Sequence, residues 1–135
     1  ETVGSMCVAI DTSGSIDDEA ITKALSEVVA ICDNTTPEKV DLLYWDTQVA
    51  SHEQYREDNY AGLVSSTSVK GGGGTDVGCV MQYIDDNKLK PECTIIITDG
   101  YTDFPKDHPT YPVIWVIVGG NNVVPPFGSV IRLEE

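Results

Sequence analysis

Cys93-Thr94-Ile95-Ile96-Ile97-Thr98 is apolar almost throughout and rich in β-branched side chains. Such a run has no wet face, so it reads as a central strand covered on both sides. Pro112 to Val118 has the same character, and Met6 to Ile10 reads as a third buried strand. Val40 to Trp45 reads as another strand. Asp46-Thr47 is a turn, and Gln48 to Gln54 a return strand completing a hairpin. Val130 to Leu133 is a short last strand suited to an edge.

Between these runs the periodicity changes. From about Asp17 to Cys32, the residues Ile21, Leu25, Val28, Val29 and Cys32 recur at helical spacing. Ser15 suits the N-cap, and Asp17, Asp18 and Glu19 fall in the first turn, where the helix dipole favours acids. Asp33 to Pro37 ends the helix. Asp76 to Asn87 is helical again, with Val77, Val80, Met81 and Ile84 on one face. Tyr101 to Tyr111 and Gly119 to Phe127 read as loops, and Tyr55 to Asn59 as an exposed charged segment. Ala61 to Val69 fits no single pattern. The order of elements predicts an α/β fold with a mostly parallel central sheet flanked by helices.

Two of the apolar runs end in carboxylates. The first runs into Asp11-Thr12-Ser13-Gly14-Ser15, and the central one into Asp99-Gly100. A third piece, Gly71-Gly72-Gly73-Gly74-Thr75-Asp76, ends a glycine loop in a hydroxyl and a carboxylate. Open α/β sheets bind ligands beyond the carboxyl ends of their strands. Asp11, Ser13 and Ser15 are hard oxygen donors, the kind that Mg²⁺ takes in near-octahedral geometry. Glycines let the second loop approach closely.

Asp-x-Ser-x-Ser, a Thr after a glycine-rich loop and a Thr-Asp-Gly after a strand, in this order, resemble the metal-ion-dependent adhesion site of the von Willebrand factor A (VWA) family. The likeness covers nearly the whole chain. It is greatest to the bacterial VWA-like domain at the end of metallopeptidase-like proteins, where Gly72 to Asp76, Thr98 to Gly100, Pro112 to Val116 and Pro125 to Gly128 have counterparts. The resemblance implies a dinucleotide-binding-like sheet with a divalent ion at its carboxyl edge. Ser13, Ser15 and Thr75 would meet the ion directly, and Asp11 and Asp99 directly or through water. The ion would be Mg²⁺, with Mn²⁺ or Ca²⁺ as substitutes. Gly74, Asp76, Gly100 and Tyr101 would lie around it and meet a protein partner. Hydroxyl ligands leave much of the ion's charge unquenched, so its open position would attract an Asp or Glu carboxylate. The chain is short for the family, and the loop Tyr101 to Tyr111 stands where many members carry a helix.

Each piece has a plainer reading. Asp11 to Ser15 is a possible cap and turn, Thr-Asp-Gly a turn, and the glycine run a linker. Their joint occurrence in order favours the site. The chain reads as a binding module rather than an enzyme, with a metal-assisted hydrolase, or a part of one, as the alternative. A third reading is a structural domain that its metal merely stabilises. A haloacid-dehalogenase-type phosphatase would need an acid at position 13, which is Ser13. An EF-hand from Asp11 would need Gly and Glu where Ile16 and Thr22 stand. The glycine loop has no P-loop Lys, and His52-Glu53-Gln54-Tyr55-Arg56 has Arg where a zinc protease has its second His. His52 therefore reads as a surface strand or turn residue, and His108 as a loop residue with no nucleophile beside it.

The chain has 135 residues, suiting a single domain over 1–135 that forms part of a longer protein. Its formal charge of −14 argues against nucleic acid and anionic membrane as partners. No apolar run approaches the ~20 residues of a membrane span. Cys7 and Cys93 fall in strand patterns, and Cys32 and Cys79 in helical ones. No Cys-x-x-Cys pair occurs, so free thiols and a cytoplasmic location are expected.

Overall fold

A computed structural model describes residues 4–12, 18–46, 48–56, 76–119 and 122–133. They form a six-stranded sheet of order β3-β2-β1-β4-β5-β6. Its strands are β1 (Ser5–Asp11), β2 (Lys39–Trp45), β3 (Val49–Arg56), β4 (Cys93–Thr98), β5 (Val113–Val118) and β6 (Ser129–Leu133). All neighbouring pairs are parallel except the β2–β3 hairpin. The helices are α1 (Asp18–Thr35) and α2 (Gly78–Asp86). This is the α/β architecture that the sequence predicts.

Side chains alternate across each strand, so the sheet has two apolar faces. Met6, Val8, Ile10, Leu42, Ile95 and Ile97 face α1, whose Ile21, Leu25, Val28 and Cys32 are buried among them. Full burial of a side chain such as Leu25 contributes about 1.5–3 kcal/mol. On the other face Ala9, Leu43, Trp45, Ile96 and Trp115 pack with Val77, Val80 and Ile84 from α2 and the residues before it. The sheet centre is apolar on both sides because helices cover both.

α1 continues past Cys32 to Thr35. The Thr35 hydroxyl donates to the Ile31 carbonyl at 2.8 Å, and the Thr36 N–H to the Cys32 carbonyl at 2.7 Å. Thr36 then turns to φ 45°, and Pro37 follows. The start expected at Asp17 and the Ser15 cap lie outside the described residues, as does 61–69.

β3 extends to Arg56, so Tyr55 and Arg56 are strand residues; Arg56 is exposed as expected, Tyr55 is half-buried, and 57–59 lie outside the described residues. Tyr55 pairs with Val40 and packs against the α1-side core. The charge pattern there reflects an edge strand, which has one paired side and tolerates polar residues. Residues 101–111 contain no helix or strand. Phe104 in that loop covers Trp115 edge to face, with ring centroids 5.2 Å apart. Among the described residues no helix is long and apolar enough to cross a membrane.

Candidate functional site

Two strand ends build the described part of the site. The parallel ladder of β1 and β4 runs to Ile10↔Ile97. One step further, Asp11 closes β1 and Thr98 closes β4, and the Thr98 hydroxyl donates to Asp11 Oδ2 at 2.7 Å. Asp11 is thus the last residue of the strand rather than part of the turn after it. It also pairs with Trp45 on its other side, and it is fully buried.

Asp99 follows Thr98 and is 4% exposed. Its Oδ1 accepts the Tyr101 N–H at 3.0 Å, while the Gly100 N–H donates to the Thr98 hydroxyl at 3.1 Å. Both bonds require a sharp turn, and Gly100 supplies it with φ 89°. A residue with a Cβ adopts that conformation only under strain. Gly100 itself is buried, whereas Tyr101 is 72% exposed. The turn therefore presents Tyr101 to solvent directly beside Asp99.

The third piece enters through Asp76. Its N–H donates to the Asp46 carbonyl at 2.9 Å, and its Oδ1 accepts the Gly78 N–H at 3.0 Å. The next amide, Val77 N–H, donates to the Thr102 hydroxyl at 3.1 Å, and Asp76 forms a parallel bridge with Asp103. The start of α2 is thereby tied to the hairpin turn and to the loop after β4. Thr12 closes the floor. Its N–H and hydroxyl both donate to the Trp45 carbonyl, at 2.8 and 3.0 Å.

The structure thus sets Asp11 and Asp99 at the carboxyl ends of neighbouring parallel strands, with Asp76, Gly100 and Tyr101 in the loops at that edge. Ser13, Ser15, Gly74 and Thr75 lie outside the described residues. Thr98 is the residue that sequence reasoning left without a role. Its signal was the Thr of Thr-Asp-Gly, which pins both carboxylate-bearing segments with one hydroxyl.

The field at this edge is negative. Burial, reinforced by Asp76, Asp46 and Asp11, pushes the Cys79 thiol up to about 12. Two carboxylates with little exposure, in a region of negative potential, supply the hard oxygens that a divalent cation takes. The described donors therefore fit such an ion. Among the described residues no group of three or more His, Cys, Asp or Glu side chains is arranged to hold a metal. The remaining donors of the expected set are the hydroxyls of Ser13, Ser15 and Thr75.

His52 departs from the expectation of a surface residue. It is half-buried in β3 and bonded to Asp41 and Tyr83, on the face that α2 covers. His108 is a loop residue as expected, with Nδ1 3.0 Å from the Pro109 carbonyl.

The mostly parallel six-stranded sheet with helices on both faces is the architecture of a VWA-like domain. The chain belongs to the VWA-like domain family DUF2201, whose model matches residues 6–134. It is also similar to an uncharacterized protein of Thermotoga maritima, with 33% identity over 100 residues. That match covers 74% of this chain and 24% of the relative, so the chain spans about a quarter of that protein.

Proposed function

We propose that the domain is a divalent-metal-dependent protein-binding module. Asp11, Ser13, Ser15, Thr75 and Asp99 would hold the ion, Mg²⁺ in the first instance. The carrying observation is the placement of buried Asp11 and nearly buried Asp99 at adjacent strand ends, where α/β sheets bind ligands. When bound, the ion supplies a local positive charge and an exchangeable position. The chain's own residues do the rest. Thr98 orients Asp11, Gly100 shapes the turn that aims Asp99, and exposed Tyr101 offers contact area beside them.

The partner is a protein that offers an Asp or Glu carboxylate. A domain of charge −14 repels carboxylates, and only a local cation reverses that field. The domain binds and does no chemistry of its own. Pull-down with the domain in Mg²⁺ and in EDTA tests this reading. Partners retained only in Mg²⁺, and lost with Thr75→Ala, support it. Equal recovery in EDTA contradicts it.

A further inference from the structure

Asp41 is a carboxylate buried inside the sheet layer, 2% exposed. Its neighbours in register are Cys7 on β1 and Gln54 on β3. A buried carboxylate needs partners. His52 Nε2 lies 2.8 Å and Gln54 Nε2 3.0 Å from its Oδ1, and Lys39 Nζ lies 3.4 Å from Oδ2. An ionised carboxylate only accepts, so His52 carries its proton on Nε2. In the neutral ring Nδ1 is then an acceptor, and the Tyr83 hydroxyl donates to it at 2.9 Å. The two rings also meet edge to face, with centroids 5.6 Å apart. A chain of bonds thus runs from α2 through β3 to β2.

α2 needs such an anchor. It has 9 residues, too few to persist alone, and its buried residues are Val80 and Ile84. Just before its start, Asp76 is tied by its N–H to the Asp46 carbonyl in the turn of the same hairpin. The hairpin therefore holds this segment at two points, the Asp46–Asp76 bond at one end and the His52–Tyr83 bond in the body of the helix.

From this geometry we infer that Asp41, His52 and Tyr83 are positioning residues for the carboxyl-edge site. They fix how far along the sheet α2 sits, and through α2 they fix Asp76 and Val77. Asp41 is held as an acceptor by Gln54 and Lys39 as well, so it orients His52 rather than following it. The link to metal affinity rests on the proposed function. The link to the start of α2 does not.

The test uses the 135-residue chain and two readouts, Mn²⁺ affinity and native-state amide exchange. The variants are Tyr83→Phe, His52→Leu, His52→Gln and Val28→Ala. Tyr83→Phe and His52→Leu should weaken Mn²⁺ binding about ten-fold, as loss of supporting partners does at metal sites. They should also speed exchange at the Gly78 and Cys79 amides. His52→Gln keeps a donor for Asp41 and an acceptor for Tyr83, and should recover most of the loss. Val28→Ala loosens the opposite layer, so it should lower the melt and leave both readouts in place. Parent-like values for Tyr83→Phe in both readouts overturn the inference. So does a Val28→Ala response equal to that of Tyr83→Phe, which would mean that global stability alone is being read. If the parent takes up no Mn²⁺, the metal reading fails by itself. Exchange at Gly78 and Cys79 then decides, with faster exchange in Tyr83→Phe supporting the inference and no change overturning it. Should His52→Leu fail to fold, Tyr83→Phe carries the test, since it removes one oxygen and keeps the ring.

Discussion

The Thr98 hydroxyl donates to Asp11 Oδ2 at 2.7 Å and accepts the Gly100 N–H at 3.1 Å. One side chain thus joins the end of β1 to the turn that carries Asp99. Both Thr98 and Asp11 are fully buried, so water does not replace the bond when it is lost.

Thr98→Val keeps the shape of the side chain and removes the hydroxyl. We expect it to cost about 1–3 kcal/mol, the penalty of leaving a buried acceptor short of a donor. Urea unfolding of the metal-free domain reads this directly. A midpoint within error of the parent would mean that Asp11 does not depend on Thr98.

The glycines give a graded prediction. Gly119 and Gly128 have φ of 85° and 83°. Among the described residues a Cβ at Gly119 would meet nothing within 4 Å, while one at Gly128 would lie 2.6 Å from the Val113 carbonyl oxygen and 2.9 Å from Trp115 Nε1. Gly119→Ala should cost only the left-handed backbone penalty, about 1–2 kcal/mol. Gly128→Ala should cost clearly more, because it also disturbs the 2.7 Å bond from Trp115 Nε1 to the Phe127 carbonyl. Equal losses in thermal melts would refute the close approach.

The thiols set a pH dependence. Burial, with Asp41 nearby, pushes Cys7 from 9.0 up to about 12, and burial with Asp33 pushes Cys32 up to about 11. From pH 9 upward the unfolded chain releases these protons while the folded domain keeps them. The unfolded state then binds fewer protons, so stability falls as pH rises from 9 through 11 and 12. Denaturation midpoints should be lower at alkaline pH, and N-ethylmaleimide at pH 8 should modify the buried Cys7 and Cys32 only after unfolding. All four are free in the structure. Rapid native labelling of Cys7 or Cys32 would contradict their burial.

Much of this was legible in the chain, and the reasons differ by element. The pattern gives β4 its observed bounds because a β-branched run between polar connectors has one interpretation. The acids of the site were legible because each follows such a run. The end of β1 was not, since Asp11 is drawn into the ladder by its pairing with Trp45 on a distant strand. Thr98 and His52 escaped for the same reason. The partner of Thr98 is 87 residues away, and His52 meets Tyr83 across 31 residues. Local pattern carries no trace of such pairings. The local pattern ends β3 too early because its charged residues look like a loop until its place at the sheet edge is known.

The proposed function depends on a divalent ion binding at the carboxyl edge. Isothermal titration of Mn²⁺ into chelator-stripped protein, with Thr75→Ala and Asp99→Ala alongside the parent, tests it most directly. The parent should take up a single ion per chain. Thr75→Ala should bind at least about ten-fold more weakly, by the scale on which metal sites respond to lost ligands and supports, and Asp99→Ala should bind none measurably. A parent that shows no saturable uptake, or variants that bind as the parent does, would contradict an ion site built from these residues.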